Sequence, residues 1–209
     1  MPVLLALLVA ASASLTPRVP MRPTLELIVE LESGVALTPA DLAAVSRELT
    51  AIWSPLVDLH VTLPGERTRA AVTDVVRMTL TTRRLEGRDS GGLGWIDFHD
   101  GVPQPTITIS TTALAGLIAT GTWNHRTIRS LPPYAARLAL RHGLARAAAH
   151  ELGHYLLRST EHTRTGLMRA RFTVDDLLDS RARTTRLEAE QIARLNDAGM
   201  RVARQNDVQ

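Results

Sequence analysis

One stretch restricts the fold of this 209-residue chain more than any other: the run from Tyr134 to Leu157. It is rich in alanine, leucine and arginine, holds no proline, and places Leu138, Ala145, Ala149, Leu152 and Leu156 at helical spacing. That pattern predicts a long helix with one side turned to a core. Its C-terminal end reads His150-Glu151-Leu152-Gly153-His154, an H-E-x-x-H pattern. On a helix, His150 and His154 stand one turn apart on one face, as two imidazoles gripping one metal ion require. Glu151 is rotated about 100° from His150, which sets its carboxylate beside such an ion and within reach of a water on it. The alternative is a solvated helix whose two histidines engage nothing.

A zinc site of the catalytic kind uses three protein ligands and leaves one position open. The chain has no cysteine, so histidine and carboxylate must supply them. His162 is the expected third ligand, with Glu161 and Asp175 as alternatives. A straight helix would carry residue 162 about 12 Å along its axis from His154. The chain is therefore expected to leave the helix between Leu157 and Thr160 and fold back. His142 lies about 12 Å before His150 on the same helix, too far to join them. His60, His99 and His125 read as ordinary surface or structural histidines, with contact to substrate as the alternative for His99, and Tyr155 as a packing residue.

The stretch from His150 to Met168, with its H-E-x-x-H, later histidine and Gly166-Leu167-Met168, resembles the metzincin zinc peptidases. The usual family pattern is H-E-x-x-H-x-x-G-x-x-H. Here Leu157 stands in place of the turn glycine and Thr160 in place of the third histidine, so His162 arrives after a two-residue insertion. The resemblance implies a Zn2+ cofactor held by His150, His154 and His162, Glu151 as catalytic base, and Met168 in a structural methionine turn. It implies an α+β, zincin-like fold: a twisted, mixed five-stranded sheet, a long active-site helix and a small helical C-terminal subdomain. It further implies that an antiparallel edge strand at Gly94, Trp95 and Ile96 binds extended substrate. The activity implied is zinc-dependent hydrolysis of peptide bonds in a peptide or protein substrate. The alternative is an inert zinc-bearing binding module.

Composition narrows the classes. Apolar residues make up 44% and charged residues 22%, which suits a folded globular chain. All 24 basic residues are arginine, yet the net charge is only +3 because carboxylates are interleaved with them. No basic stripe emerges, so a nucleic-acid partner is not expected. Met1–Ala13 is an apolar run too short to span a bilayer, ending in the small-x-small triplet Ala11-Ser12-Ala13. It reads as a signal peptide, which predicts a secreted or periplasmic protein without stable membrane insertion; a monomer is expected. Residues 14–23 read as a linker. Residues 24–209 read as one catalytic domain, divided into an N-terminal part (24–157) and a C-terminal part (158–209).

Local patterns predict the remaining elements. Strands are expected at Thr24–Leu31, Val57–Leu63, within Thr68–Arg84, at Leu93–Phe98 and at Pro105–Ser110. Thr38 followed by Pro39 predicts a helix start, with the helix running to Trp53. Short helices are expected at Thr111–Ala119 and near Val174–Leu178. Thr185-x-x-Glu188 reads as a capping box opening a last helix, with Leu187, Ile192, Leu195 and Val202 turned inward.

Overall fold

The alternation at the start of the chain decides the first strand. In β1 (Thr24–Leu31) the residues Leu25, Leu27 and Val29 are buried. Glu26 is buried as well, and its carboxylate accepts a 2.6 Å hydrogen bond from Thr62 Oγ1. Next comes α1 (Pro39–Trp53), opened by a reciprocal cap: Asp41 N–H donates to Thr38 Oγ1, and Thr38 N–H to Asp41 Oδ2. The helix then returns the chain to β2 (Asp58–Thr62), parallel to β1. β3 (Val75–Thr81) pairs with the other side of β1.

The computed structural model describes residues 22–68, 74–84, 92–123, 126–130, 132–178 and 185–206. The expected signal segment, all but the last two residues of the linker, and His125 lie outside these residues.

β4 (Gly94–His99) and β5 (Val102–Ser110) form a hairpin across Asp100-Gly101, both of which have positive φ (51° and 77°). That is the conformation a two-residue hairpin loop favours, and Asp-Gly adopts it readily. The sheet order is β2-β1-β3-β5-β4, parallel throughout except for antiparallel β4, which ends the sheet as an edge. The fold is thus a mixed α/β architecture with a five-stranded mixed sheet, as the resemblance implied. Between β5 and the long helix lie α2 (Thr111–Thr120), capped by Ser110, and a minimal hairpin of β6 (Thr122–Trp123) and β7 (Arg126–Thr127).

The long helix, α3 (Pro133–Leu157), crosses the sheet, and every residue from Gly143 to His154 is buried. A helix buried all round needs small residues, and the Ala145, Ala147, Ala148, Ala149 run supplies them. Gly143 extends the same logic, since a Cβ there would come within 2.7 Å of Leu114 on α2. One expected core residue is corrected: Leu138 is 46% exposed. It shares a helical face with Ala145 and Ala149, but the first turns of α3 project beyond the core, and Ala139 alone is buried between Pro133 and His142. Periodicity gives the face and not what lies opposite it.

Beyond α3, α4 (Val174–Leu178) falls where predicted, while α5 (Ala189–Asn206) starts later than the Thr185 cap implied. The Arg186 carbonyl accepts from Leu167 N–H at 2.9 Å, holding this segment extended against the chain near Met168. Glu188 becomes the residue before the helix, and Gln191 reaches back to its N–H at 3.0 Å. Leu195 is buried against the core and Leu187 is half-buried beside it. The Val202 side chain lies outside the described residues. None of the described helices is long and apolar enough to cross a membrane.

Candidate metal centre

The helix delivers His150, Glu151 and His154 as the H-E-x-x-H spacing requires, all three buried near the end of α3. The position of the third histidine depends on how α3 stops. Arg158 takes a left-handed conformation (φ 50°, ψ 44°), its N–H returning to the carbonyls of His154 and Tyr155. This is the reversal that the absent turn glycine would have marked, one residue later and on an arginine. A non-glycine residue there costs roughly 1–2 kcal/mol. The chain then doubles back and brings His162 to the other two histidines.

The three rings surround one point. Their centroids are separated by 4.7 Å (His150–His154), 4.9 Å (His154–His162) and 5.3 Å (His150–His162). One nitrogen from each lies within 4.8 Å of the others. His150 Nδ1 is 2.8 Å from the Leu167 carbonyl, and His154 Nδ1 is 2.7 Å from the Ser159 carbonyl. A carbonyl oxygen only accepts, so each Nδ1 must carry its ring's proton. Both Nε2 atoms are then bare lone pairs in the neutral rings, yet they stand 3.1 Å apart. Two lone pairs cannot hydrogen-bond to each other; a cation shared between them resolves the contact. Nitrogens bound tetrahedrally to zinc at about 2.0–2.1 Å stand roughly 3.3–3.4 Å apart, so the spacing fits that ion closely.

Burial sets the electrostatics. It pushes His150 down to about 4, helped by His154 and His162 and opposed by the Leu167 carbonyl. His154 and His162 are lowered by the same cause. The rings therefore stand neutral near pH 7, the form in which imidazole ligates a metal. Glu151 is pushed up to about 8 by burial. A cation held by the adjacent imidazoles would act in the opposite direction, favouring the carboxylate.

Of the alternatives for the third position, Glu161 is exposed and faces Arg194 of α5 at 3.5 Å. Asp175 is exposed on α4 and is not among the residues brought together. His142 is held by Glu48, with His142 Nδ1 2.5 Å from Glu48 Oε2, well before the site on α3. Tyr155 donates to Asp74 at 2.7 Å, consistent with packing.

Met168 is 1% exposed and lies under the helix: an ideal Cβ at Gly153 would fall 2.3 Å from its Sδ. Trp53 of α1 reaches the same spot, 3.6 Å from that Cβ. The backbone around Met168 is fixed by Thr163 N–H donating to its carbonyl at 2.8 Å and by Gly166. Gly166 has φ 75°, and a Cβ on it would meet the Arg186 carbonyl at 2.4 Å. At the sheet edge, Gly94 backs onto the glutamate: a Cβ there would lie 2.9 Å from Glu151 Cγ, 2.6 Å from Ile109 and 2.8 Å from the Thr108 carbonyl. Trp95 and Ile96 come next along β4, both half-buried.

The backbone is similar in outline to archaemetzincin. The crystal structure of that protein from Methanopyrus kandleri aligns over 90% of this chain and 99% of its own, with a TM-score of 0.47 and 12% identity. No family profile and no curated protein matches the sequence. The reading of the site therefore stands on its own residues.

Sequence reasoning missed several of them. Phe172 places its ring edge-on to His150 at 5.4 Å, and Arg169 lies over Phe172 at 5.9 Å while paired with Asp176. Nothing local to Phe172 announces this, because the contact spans 22 positions. The backbone acceptors at Leu167 and Ser159 were equally silent, since a carbonyl carries no residue-type signal. Gly153 did leave one: glycine inside a helix costs about 1 kcal/mol relative to alanine and so calls for a packing reason.

Proposed function

We propose that this chain is a zinc-dependent peptidase of metzincin type, acting outside the cytoplasm on peptide or protein substrates. The observation that carries the reading is the convergence of His150, His154 and His162, with two bare Nε2 atoms 3.1 Å apart and Glu151 beside them. Bound there, zinc supplies Lewis acidity toward water and toward the oxygen of the scissile carbonyl.

The rest is the work of the chain. His150 and His154 are held in one tautomer and one orientation by the Leu167 and Ser159 carbonyls. His162 is exposed where the other two are buried, which keeps one side of the centre open to water and substrate. Glu151 takes a proton from the attacking water and returns it to the leaving amine, a transfer that contributes about 10²–10⁴-fold. Substrate is aligned by the free edge of β4. Ser110 N–H donates to the Leu93 carbonyl, so alternation along the ladder turns the backbone groups of Gly94 and Ile96 away from β5. An extended peptide added there runs alongside Gly94, the strand position whose side-chain direction faces Glu151 Cγ. The apolar Met1–Ala13 segment supports the extracytoplasmic setting.

The test is Glu151→Gln. The variant should keep its zinc and lose at least 10²-fold in hydrolysis of a mixed peptide library. Undiminished cleavage by a zinc-loaded Glu151→Gln protein refutes the assignment. A wild type that binds zinc and cleaves nothing is the inert binding module.

A further inference from the structure

A second feature lies far from the histidines, at the other end of α3. A cavity of about 480 Å³ opens where the start of α1, the end of α2 and the first turns of α3 meet. Arg137, at its rim, is thirteen residues before His150, or about 20 Å along the helix. The walls are aliphatic (Leu37, Ile118, Ala119, Ile128 and Leu140), with Tyr134, 73% exposed, at the mouth.

Charge at the rim is unbalanced. Asp41, 1% exposed, receives both Arg137 and Arg141: Arg137 through Nε at 2.8 Å and through Nη2, Arg141 through Nε at 2.7 Å. Two guanidinium groups thus share one carboxylate. The other acid of this α1–α3 seam, Glu48, is taken by His142 and Arg146. Arg137 lines the cavity, its side chain is 48% exposed, and its Nη1 has no hydrogen bond among the described residues. Asp41 and Arg137 both line the chamber, and with Arg141 behind them the group carries two guanidinium charges to one carboxylate, leaving the Arg137 Nη1 donor unused at the entrance.

We propose that this cavity binds a small amphiphilic monocarboxylate, its acyl chain in the chamber and its head group on Arg137. The volume falls in the range of small-molecule sites, about 300–1,000 Å³, which are apolar with a few placed polar groups. A guanidinium recognises a carboxylate with direction as well as charge. The aliphatic walls select an acyl chain over a peptide, because they would leave the amides of a peptide unpaired and desolvated.

Calorimetric titration of the full chain tests this without any peptidase assay, so its outcome is independent of the metal reading. Hexanoate, octanoate and decanoate should bind one per chain, with affinity rising roughly three- to fourfold per methylene. Decyltrimethylammonium, with a comparable tail and opposite charge, should bind at least tenfold more weakly than decanoate. Ala119→Phe fills the chamber while leaving the Asp41 pairs in place, and should cut decanoate affinity at least tenfold with an unchanged circular dichroism spectrum. Arg137→Gln should erase the preference for carboxylate over ammonium. Absence of saturable decanoate binding overturns the proposal. So does equal binding of the ammonium, or tighter binding of an apolar tripeptide such as Leu-Leu-Val than of decanoate.

Discussion

The floor of the histidine site makes a prediction whose sign is unusual. Replacing a helical glycine with alanine normally stabilises a protein by about 1 kcal/mol. At Gly153 the added methyl would fall 2.3 Å from Met168 Sδ and 3.1 Å from its Cε, while Trp53 at 3.6 Å is in ordinary contact. Met168 is 1% exposed and has little room to withdraw. Overpacking of this kind costs about 1–3 kcal/mol, so Gly153→Ala should be net destabilising by roughly 1 kcal/mol. Met168→Ala alone removes a buried side chain and should cost about 2–5 kcal/mol. In that background the clash is gone, and Gly153→Ala should stabilise by about 1 kcal/mol. The two sites should therefore couple by about 1–3 kcal/mol in a double-mutant cycle. Urea unfolding of the metal-free protein measures it without a contribution from ligand binding. If Gly153→Ala stabilises both backgrounds equally, Met168 does not press on α3 and the reasoning fails.

Three further outcomes rest on the same geometry. Gly94→Ala should lower peptide hydrolysis while zinc content is unchanged, because its methyl meets Glu151 Cγ, Ile109 and the Thr108 carbonyl; parallel assays of metal and activity check this. Arg158→Gly should raise stability by about 0.5–1 kcal/mol in thermal or urea unfolding, since glycine adopts φ 50° without the Cβ penalty. Asp41 is held far below its usual 3.8, first by Arg137 and also by Thr38 and Arg141, against the effect of burial. A depressed carboxyl pKa contributes stability above the unfolded value and loses it as pH falls. The gap between wild type and Asp41→Asn in denaturant unfolding should thus hold steady above pH 3.8 and shrink below it.

Much of the architecture was legible because its causes are local. The alternation of Leu25, Leu27 and Val29, the Thr38–Asp41 cap, and the Asp100-Gly101 turn each specify their element within a few residues. The same holds for His150, Glu151 and His154, whose geometry is a property of any helix. What escaped depends on partners distant in the chain. Thr185 has the pattern of a cap, but Arg186 is pinned by Leu167 and the helix waits until Ala189. Leu138 has the right phase on a helix that projects past its core. The left-handed Arg158 gave no signal, because the residue type that usually advertises that conformation is glycine. The placement of His162 is a consequence of that turn. That a third ligand must come from a chain folding back after Leu157 followed from helix geometry; which turn brings His162 there did not, and the structure supplies it.

X-ray absorption at the zinc edge of the purified, metal-loaded protein tests the central claim most directly. The expected result is one zinc per chain with three imidazole nitrogens at about 2.0–2.1 Å, falling to two in His162→Ala. A zinc shell that is unchanged by His162→Ala, or built from a carboxylate in place of that ring, would contradict it.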